Sequence, residues 1–560
     1  MRNTVTENLR CSVRLVEYVT NYLQSSILFI LVFLFLIGKT CMAQYGTIQH
    51  SITGGLDDIY TPRSFAQNSS GEIYSVGTFV GTFSLGGETI TTNSANAVYV
   101  AKYGADLAVI WLKKITENEF VIQDTWTRFA LDTDDNLLIG LSYTGVLYYN
   151  NDSSGTPATR GAVLVKLDPD ANYIWTLELE GDIIGRRGVA VDSDNNIFVT
   201  GRLGNDMFIS KFDSNGVLVW NNTGGGPNLD DQGYNVALDN SGNVFVAGML
   251  SPSNSVYFND IHVTFSITAQ NPFFIAKYLA NGTVQWVRYV YGTIWDKYVI
   301  ISDMDCLSDG SIVAAGGYSQ PLLMFSNGFS SVGPQMAGQD DFFLTRFSAD
   351  GDRMWVNLSP PINGAEGGMV VSVENEVIHL LRNFEGTITN DVDTLTSYGN
   401  LDLLLEQYDP SGNLLSYTQY GGTNIDGATD LMVDNNSTYV IGMTQSPTVN
   451  VGTDSFSPDY PSSMYIIKLT QSPIGISPLE QAQLGTLYPN PNNGSFTISA
   501  SGLVGDVRVT NVTGQVVYSG VANAFGKTEV QLPNVPSGVY VVHYEQGDEP
   551  VRTKMVVAQY

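Results

Sequence analysis

The sequence is poor in charge, and poorest in positive charge. Asp, Glu, Lys and Arg together make up 14% of the 560 residues, whereas an ordinary soluble domain holds roughly a quarter. There are 26 Lys and Arg against 55 Asp and Glu, which gives a net charge of −29. So few basic residues exclude a general nucleic-acid binder, which needs a basic surface, and disfavour docking on anionic lipid.

Residues that commonly hold metals or catalyse reactions are also scarce. The chain has four histidines, and none stands in an H-x-x-x-H or mixed Cys/His pattern: His50, His262, His379 and His543. No G-x-S-x-G turn, phosphate-binding loop or dinucleotide fingerprint stands in a strand–turn–helix context. We therefore expect a protein that is not an enzyme, without catalytic residues, metal or cofactor, in which His50 and His379 serve as packing residues.

Glycine, aromatic residues and hydrophobic residues are plentiful by contrast. The sequence has 56 glycines, 11% aromatic residues and 43% hydrophobic residues. This is enough apolar material for a core, so wholesale disorder is excluded. Many turns and many aromatic residues predict an all-β protein rather than a helical bundle, which would need Ala, Glu, Lys and Leu in bulk.

The N-terminal segment has the pattern of a secretory signal peptide. Residues 27–38 are uncharged and apolar, and as a helix they would span only about 18 Å, short of the roughly 30 Å hydrocarbon layer. Three arginines precede this run, and the stretch after it ends Cys41-Met42-Ala43, with small residues at both positions that cleavage requires. The pattern predicts cleavage between Ala43 and Gln44, which removes residues 1–43 and leaves a mature form without a membrane span.

Alternatives stay open for this segment. It could instead be a membrane anchor, the true start could lie downstream, or lipid could be attached at Cys41, although Lys39 occupies a position where a small or apolar residue is preferred. After removal of residues 1–43, Cys306 is the only cysteine, so no intrachain disulfide is expected despite an oxidising destination.

Two phrases recur seven times in the middle of the chain with the same period. The first is a polar turn and an alternating apolar strand that ends at Gly77, Leu141, Gly201, Gly248, Gly316, Leu381 and Gly442. The second carries a basic residue in six of its seven copies, at Lys102, Lys166, Lys211, Lys277, Arg346, Gln407 and Lys468. Both recur about every 61 residues, which indicates a repeated structural unit.

A third phrase, a glycine turn followed by a strand with tryptophan, follows the second phrase; the sixth unit has SGNLLSY in its place, and the last unit lacks this strand. It reads NGTVQW up to Trp286, whereas the seventh copy stops near Leu469. A matching piece, GTIQH, stands in front of the first repeat and ends at His50. We therefore expect residues 45–51 to supply the last strand of the seventh unit, beside residues 463–469.

Each unit thus contains about four short strands, too few to bury both faces or protect its edges alone. A radial arrangement solves this problem, and the repeats predict a seven-bladed β-propeller closed by the N-terminal strand. An open solenoid with capping repeats is the alternative. The phrases NSGNVFVAG, NPFFIAKY and NGTVQW resemble the seven-bladed propeller repeats of secreted bacterial proteins, although the second and sixth copies depart from the pattern. That resemblance implies an architecture and no common activity.

The end of the chain has a different character. A linker at 471–486 breaks the repeat period, and short alternating strands follow it, as in a small β-sandwich. This part resembles the C-terminal sorting domain of type IX secretion at three motifs. The matching residues are Tyr488, Pro489, Asn490, Pro491, Gly494 and Phe496 in the first motif, Gly514 in the second, and Gly538 and Tyr540 in the third.

The N-terminal pattern, the repeats and this resemblance together predict four parts: a signal peptide at 1–43, a propeller at 44–470, a linker at 471–486 and a sorting domain at 487–560. It also implies that the type IX secretion machinery is a partner and that the protein is secreted or lies on the outer surface of a diderm bacterium. Whether the tail is removed and the protein released or anchored stays open.

Two turns resemble the start of a calcium loop, at Asp132–Asp134 and Asp192–Asp194. They lack the glycine and glutamate that such loops need, and Asp and Asn also favour ordinary hairpin turns. The recurrent lysine similarly predicts packing over the neighbouring tryptophan or pairing with carboxylates rather than one basic patch.

Ligands are expected at the connections between the second and third strands, because variable loops on a rigid scaffold carry binding sites. These connections are long except at 202–205, and are rich in Ser, Thr, Asn, Gly and aromatic residues, which suits a glycan or a surface protein. We expect a non-enzymatic binding or scaffolding protein. A polysaccharide hydrolase or lyase is the alternative, which would need carboxylates clustered with Arg or His at the channel, and a structural surface-layer component is a third possibility.

Overall fold

The structure is a computed structural model and is described here for residues 48–557. The exceptions are 55–59, 95, 119–127, 150–151, 155–159, 182, 227–229, 252–254, 265–269, 293–298, 320–322, 327–328, 332–340, 359–365, 390–393, 435–436, 461, 471–485, 489–493, 500–502, 512–515, 522–526, 533–534, 537 and 547–548. All regular structure in the described residues is β-strand. The chain divides into two compact bodies, Met1–Ser472 and Pro473–Tyr560.

In the residues that the structure describes, the N-terminal body contains seven antiparallel four-stranded units, named units 1 to 7. Unit 1 comprises β2 (Tyr60–Gln67), β3 (Ile73–Phe79), β6 (Asn96–Tyr103) and β7 (Val109–Asn118); unit 2, β8 (Arg128–Leu131), β9 (Leu137–Thr144), β12 (Arg160–Leu167) and β13 (Tyr173–Leu179); unit 3, β14 (Ile183–Val191), β15 (Ile197–Leu203), β16 (Asp206–Phe212) and β17 (Leu218–Gly225); unit 4, β18 (Gln232–Leu238), β19 (Val244–Met249), β22 (Gln270–Tyr278) and β23 (Val284–Gly292). Unit 5 comprises β24 (Val299–Cys306), β25 (Ile312–Tyr318), β28 (Asp341–Phe347) and β29 (Arg353–Leu358); unit 6, β30 (Glu366–Glu374), β31 (Val377–Phe384), β34 (Asp402–Tyr408) and β35 (Leu414–Gly421); unit 7, β36 (Asp426–Asp434), β37 (Ser437–Thr444), β40 (Ser463–Thr470) and β1 (Ile48–Gly54).

The fourth strand of unit 7 comes from the front of the chain. Strand β1 pairs antiparallel with β40, and His50 stands opposite Lys468. In unit 4 the corresponding pair is Trp286 opposite Lys277, so His50 occupies the tryptophan position of its unit. The predicted pairing is confirmed for the described residues of this strand; residues 45–47 lie outside them.

The hydrophobic core lies between the units. One cluster joins each unit to the next, and another joins unit 7 to unit 1, where Ile441 and Ile466 pack with Ile73 and Tyr99. The first strands also contact one another in succession, and β36 of unit 7 contacts β2 of unit 1. Because a single unit cannot bury both of its faces, these contacts between units hold the body together.

The long connections between second and third strands are ordered hairpins rather than the loops that the sequence analysis expected. They are β4–β5 (Thr82–Leu85, Glu88–Thr91), β10–β11 (Leu147–Tyr149, Asp152–Ser154), β20–β21 (Ser255–Phe258, Ile261–Thr264), β26–β27 (Leu323–Phe325, Phe329–Ser331), β32–β33 (Thr387–Thr389, Thr394–Thr396) and β38–β39 (Val449–Val451, Asp454–Phe456). All but β32–β33 pair with the fourth strand of the preceding unit. Strand β1 therefore lies between β40, with which it pairs along its length, and β4, which it meets at Gly54 opposite Leu85.

The recurrent glycine of the second strand is explained by the backbone of the first strand, which passes close to it. The first strand of unit 5 bulges between Ile301 and Asp303, and a Cβ at Gly316 would overlap the carbonyl oxygen of Ile300. Unit 6 has Leu381 at this position, and its first strand bulges more widely, between Gly367 and Val370. A one-residue bulge thus requires glycine, and a wider one accepts a side chain.

The C-terminal body has two sheets in the described residues. Strands β41 (Thr486–Tyr488), β42 (Ser495–Ser499) and β45 (Lys527–Gln531) form one; β44 (Val516–Val521), β43 (Leu503–Asn511), β46 (Gly538–Gln546) and β47 (Glu549–Val557) form the other. Side chains of both sheets share one core, in which Phe496 and Val530 meet Val509 and Val542.

We predict that Gly316→Ala destabilises the protein by at least about 2 kcal/mol, because the new methyl group would force the backbone of the first strand to move. The matched control is Gly427→Ala, where a Cβ has no neighbour within 4 Å. Urea unfolding measures both changes, and equal free energies of unfolding for the two variants would contradict the close-approach explanation.

Candidate functional site

The first sorting motif lies at the start of the C-terminal body. Tyr488 pairs in register with Thr497 across β41 and β42. Gly494 has a φ of +99°, in the region that favours glycine, and its carbonyl accepts a 2.7 Å hydrogen bond from the N–H of Leu532. Phe496 is buried in the core. The predicted residues Pro489, Asn490 and Pro491 lie outside the described residues.

The other motifs contribute to the same core. Gly538 pairs with Val557 across β46 and β47. Tyr540 is buried, and its hydroxyl donates to the carbonyl of Pro536 at 2.8 Å. The core thus brings Phe496 and Tyr540 together, which indicates that motif residues determine the fold of this body. The predicted Gly514, Ala43 and Gln44 lie outside the described residues.

In the N-terminal body, the recurrent lysine and tryptophan together cap the next unit. Lys277 Nζ and Trp286 Nε1 lie 3.1 and 3.0 Å from the carbonyl oxygen of Ala349 in unit 5. The indole also lies against Gly351 of that turn, where a Cβ would stand 2.7 Å from the tryptophan ring. We call this arrangement the turn clamp: a basic residue and a tryptophan of one unit donating to a turn carbonyl of the next.

The turn clamp recurs in full between units 5 and 6, and one of its two donors is seen between other units. Lys166 Nζ lies 3.2 Å from the carbonyl of Ser214, and Trp220 Nε1 lies 3.1 Å from that of Ala280. Arg346 and Trp355 both donate to the carbonyl of Pro410, at 2.6 and 3.0 Å. Across the two ends of the body, Lys468 of unit 7 donates to Ala105 of unit 1 at 2.9 Å. The lysine half of the clamp therefore also joins the last unit to the first.

The recurrent lysines lie beside a carboxylate, an aromatic ring or both. Lys166 forms a 2.8 Å ion pair with Asp132, while Lys277 lies 3.7 Å from Asp239 and 4.9 Å from the centroid of the Phe245 ring. The sequence analysis expected packing or pairing for these lysines. The observed ring belongs to the neighbouring second strand, whereas the tryptophan stands across the third and fourth strands.

Unit 6 replaces the clamp with a polar cluster. Gln407 Nε2 lies 3.5 Å from His379 Nδ1, and Ser416 donates to Gln407 Oε1 at 2.5 Å. Burial lowers the pKa of His379 to about 3, so this histidine is a neutral packing residue at physiological pH. Because β1 comes from the front of the chain, unit 7 has no turn between its third and fourth strands, and unit 6 has no turn carbonyl to cap.

The turns that resemble calcium loops use their carboxylates internally. Asp132 Oδ1 accepts from the N–H groups of Asp134 and Asn136, while Oδ2 receives Lys166. Burial alone would raise the pKa of Asp132, but the bonds from Lys166 and Asn136 hold that pKa below its usual value. Asp192 binds its own turn in the same way. This geometry favours the hairpin-turn interpretation.

An ion network missed by the sequence analysis joins the first strands. Arg187 on β14 contacts Asp303 Oδ2 on β24, and its Nη2 lies 3.0 Å from Asp430 Oδ1 on β36. Both carboxylates are only 3% exposed. Asp303 also accepts the N–H of Val371, and Asp430 the hydroxyl of Ser64, each at 2.9 Å. We call Arg187, Asp303 and Asp430 the axial network.

The axial network places two carboxylates around one arginine, an arrangement that no sequence motif indicates. Its members lie 116 and 127 residues apart in the sequence, and the strand bulges decide which side chains meet. Each carboxylate is engaged by the guanidinium and by a hydroxyl or backbone donor. Such an arrangement fixes strands in place, and because all its members are in different units, it links units 3, 5 and 7.

Another buried carboxylate, Asp231, has a raised pKa. Asp231 is fully buried and accepts the N–H groups of Gly226 and Ser251, each at 2.7 Å. Burial, with a smaller effect of Asp206, raises the pKa of Asp231 to about 6 despite those two bonds. No group of three or more His, Cys, Asp or Glu side chains in the described part of the chain has the geometry of a metal site. Within the same residues, no helix is long and apolar enough to cross a bilayer.

Comparison with known proteins gives one family match, to the secretion system C-terminal sorting domain, at residues 486–558. This match supports export by type IX secretion to the cell surface or beyond it. A curated relative, the uncharacterized WD repeat-containing protein L264 of Acanthamoeba polyphaga mimivirus, is 22% identical over 449 residues, 64% of this chain. The chain spans about a third of that relative's length, 32%.

Two solved structures with detectable similarity are both distant. PorZ, a surface component of the type IX secretion system of Porphyromonas gingivalis, is 12% identical with a TM-score of 0.14, over 89% of this chain and 99% of its own. The lignostilbene dioxygenase of Pseudomonas brassicacearum is 10% identical with a TM-score of 0.36, over 74% and 93%. These scores are too low for any inference from either protein. The WD-repeat relative and the packing of successive units support a propeller-like β-fold built from repeats.

We predict that Lys166→Met destabilises the protein by about 3 kcal/mol, because Asp132 would be left buried without its ion-pair partner. Lys114→Met is the matched control, since the Lys114–Glu117 pair is about one-third exposed on both sides and should contribute less than about 1 kcal/mol. Chemical denaturation distinguishes the two, and a Lys166 variant as stable as the control would rule out a structural role for the clamp.

Arg187→Gln should cost about 3–5 kcal/mol, because two buried carboxylates lose one shared partner. Arg202→Gln removes the same charge from the neighbouring strand, where the partner Asp230 is 68% exposed, and should cost less than about 1 kcal/mol. Thermal and urea unfolding would report the difference. If Arg187→Gln left the midpoint unchanged, the axial network would not be a stabilising link.

The raised pKa of Asp231 predicts a pH dependence. A group that binds its proton more tightly in the folded state stabilises the fold most below pH 4, and this contribution is lost as pH rises to about 6. Asp231→Asn lacks the titration, so its stability relative to the parent should rise by about 2 kcal/mol between pH 4 and 6 and then stay level. Exposed Asp350→Asn serves as control, and a flat difference for Asp231→Asn would disprove the shift.

Proposed function

We propose that this protein is a secreted or surface-attached seven-bladed β-propeller that binds or scaffolds extracellular material and is not an enzyme. The sorting-domain match at residues 486–558 carries the proposal, because it supports delivery to the outside of the cell. The signal peptide at 1–43, the propeller at 44–470 and the sorting domain at 487–560, folded as a small β-sandwich, are parts of the same proposal.

The ring is supported by the packing of unit 7 against unit 1. Three independent kinds of contact join them: the pairing of β1 with β4, the shared hydrophobic cluster, and the hydrogen bond from Lys468 to Ala105. An open solenoid would leave its first and last units apart, each with a capped outer face. Seven units of four strands, each covered by its neighbours, are what a closed propeller requires.

A binding or scaffolding role agrees with the structural contacts that the buried lysines and arginine of the N-terminal body make. The lysines of the clamps and the arginine of the axial network are bound to carboxylates and turn carbonyls, so they hold the units together. An acidic, rigid body of this kind stays soluble outside the cell and presents its hairpins and the ends of its units to partners. A glycan or a surface protein is the partner class that we propose.

The proposed route of export is tested by deleting residues 487–560 and fractionating cells that produce the full chain or the truncated one. We expect the full chain at the surface or in the medium and the truncated chain retained in the periplasm. A point variant, Tyr540→Ala, should also be retained, because it removes a core residue of the C-terminal body. Arg508→Ala, on an exposed position of β43, is the control and should be exported normally. Unchanged export of the truncated chain would overturn the proposal.

A further inference from the structure

A cleft of about 480 Å³ opens between units 4 and 5, beside the turn clamp that joins them. Strand β23 of unit 4 supplies Gln285 and Arg288 to its lining, and the hairpin β20–β21 supplies Ile261. The turn between the third and fourth strands of unit 5 supplies Asp350. This volume lies within the range of small-molecule sites, roughly 300–1,000 Å³, so the cleft is large enough for a ligand.

Arg288 has more hydrogen-bond donors than its contacts within the protein use. Its Nε donates to the carbonyl of Gly351 at 2.7 Å, its Nη2 to that of Asp350 at 3.3 Å and its Nη1 to that of Val287 at 3.1 Å. The guanidinium also lies over the ring of Trp286, 5.5 Å from its centroid, which helps to orient it. Since a guanidinium has five N–H groups, two of them have no partner among the described residues.

The neighbouring junctions show that a shorter side chain meets the structural need at this position. Asn222 in unit 3 and Asn357 in unit 5 stand two residues after their tryptophans, as Arg288 does. Each donates through its amide to the corresponding turn carbonyl, to Gly282 at 2.8 Å and to Gly412 at 2.6 Å. The arginine of unit 4 makes the same bond and adds a positive charge and spare donors to the cleft.

Two further polar side chains of the cleft are available to a ligand. The Gln285 amide and the Asp350 carboxylate form no hydrogen bond or ion pair within the described part of the chain, and both residues are exposed. At the next junction the corresponding residues are Met354, before the tryptophan, and Ser411, in the turn. The combination of amide, carboxylate and guanidinium therefore belongs to the junction of units 4 and 5 and is not a feature of the repeat.

These groups have the chemistry that binds a sugar. Adjacent hydroxyl groups of a sugar ring both donate and accept, so one can accept from the guanidinium of Arg288 while the next donates to the carboxylate of Asp350. Ile261 and Leu279 add half-buried apolar surface to the lining, against which the C–H groups of the ring can pack. A mixture of charged donors, charged acceptors and apolar surface suits a hydroxyl-rich ligand better than a purely apolar one.

The charges of the cleft indicate that this ligand is neutral. Arg288 and Asp350 contribute one charge of each sign, and Lys277, which also lines the cleft, lies 3.7 Å from Asp239. The cleft therefore has no excess of positive charge to attract an acidic sugar. The net charge of the whole chain, −29, disfavours an anionic ligand further.

We infer that the cleft between units 4 and 5 binds a neutral sugar unit of an extracellular glycan, with Arg288, Asp350 and Gln285 bonded to its hydroxyl groups. This inference rests on the proposed binding function and adds the position of the site and the class of ligand.

The experiment uses the full chain and measures binding by calorimetry. The probes are three neutral oligosaccharides, cellohexaose, maltohexaose and mannohexaose, and one acidic oligosaccharide, hexagalacturonate. We expect at least one neutral probe to bind with a Kd below about 1 mM, and hexagalacturonate to bind at least about tenfold more weakly than that probe. Tighter binding of the acidic probe would contradict the neutral class.

Variants locate the site without disturbing the fold. Arg288→Asn keeps the turn bond that asparagine makes in units 3 and 5, so it should unfold at the parent's urea concentration and weaken binding by at least about tenfold. Asp350→Ala should weaken binding by a similar factor, and Gln285→Ala by about threefold, because it removes a bond from a neutral group. The matched controls are Asp352→Ala, exposed in the same turn, and Met354→Ala, and both should bind as the parent does.

The inference is overturned if none of the neutral probes binds, or if Arg288→Asn and Asp350→Ala bind as Asp352→Ala does. In the second case sugar binding stands and its site lies elsewhere. Should Arg288→Asn lower the stability, Asp350→Ala and Gln285→Ala decide the question, because their side chains have no partner in the described part of the fold. The fractionation experiment tests export separately, and its outcome leaves this result unaffected.

Discussion

Every unit of the N-terminal body depends on its neighbours for burial of both faces. A four-stranded sheet of this size has two apolar faces and two open edges, and it cannot be stable by itself in water. The hydrophobic clusters lie between successive units rather than inside them, so the stability of any unit is shared with the next. The turn clamps add polar contacts between the same neighbouring units, because a lysine and a tryptophan of one unit donate hydrogen bonds to a carbonyl of the following one.

Because every unit needs a neighbour on each side, the last unit of the N-terminal body has to pack against the first. A unit with no neighbour would expose an apolar face, and the cluster of Ile441 and Ile466 with Ile73 and Tyr99 shows how unit 7 avoids it. Strand β1 lies between β40 of unit 7 and the hairpin strand β4 that follows β3 of unit 1. Strand β1, near the N-terminus, thus pairs with the edge of β40 in the last unit. The other hairpins likewise pair with the fourth strand of the unit before them: β10–β11, β20–β21, β26–β27 and β38–β39.

The repeat could be predicted from sequence because its phrases mark contacts that recur in every unit. The basic residue and tryptophan stand in register, as Lys277 and Trp286 do, and the displaced GTIQH segment falls in the place of the missing strand. The hairpins could not be foreseen, because their sequences differ and their partner is the preceding unit. The axial network was missed for a different reason. Arg187, Asp303 and Asp430 share no phrase, and only the bulges of three separate strands bring them together. In the C-terminal body the motifs were visible in the sequence, and the structure adds that Phe496 and Tyr540 belong to one core.

A disulfide between the front and the back of the body tests the central claim most directly. In a Cys306→Ser background, His50→Cys and Lys468→Cys stand opposite each other in β1 and β40, close enough for a disulfide if the strands pair as described. His50→Cys with Ile466→Cys is the out-of-register control. We expect rapid, nearly complete oxidation of the first pair in the native protein and little of the second, read as a mobility shift on non-reducing gels. Equal oxidation of both pairs, or none of the first, would contradict closure of the body by its N-terminal strand.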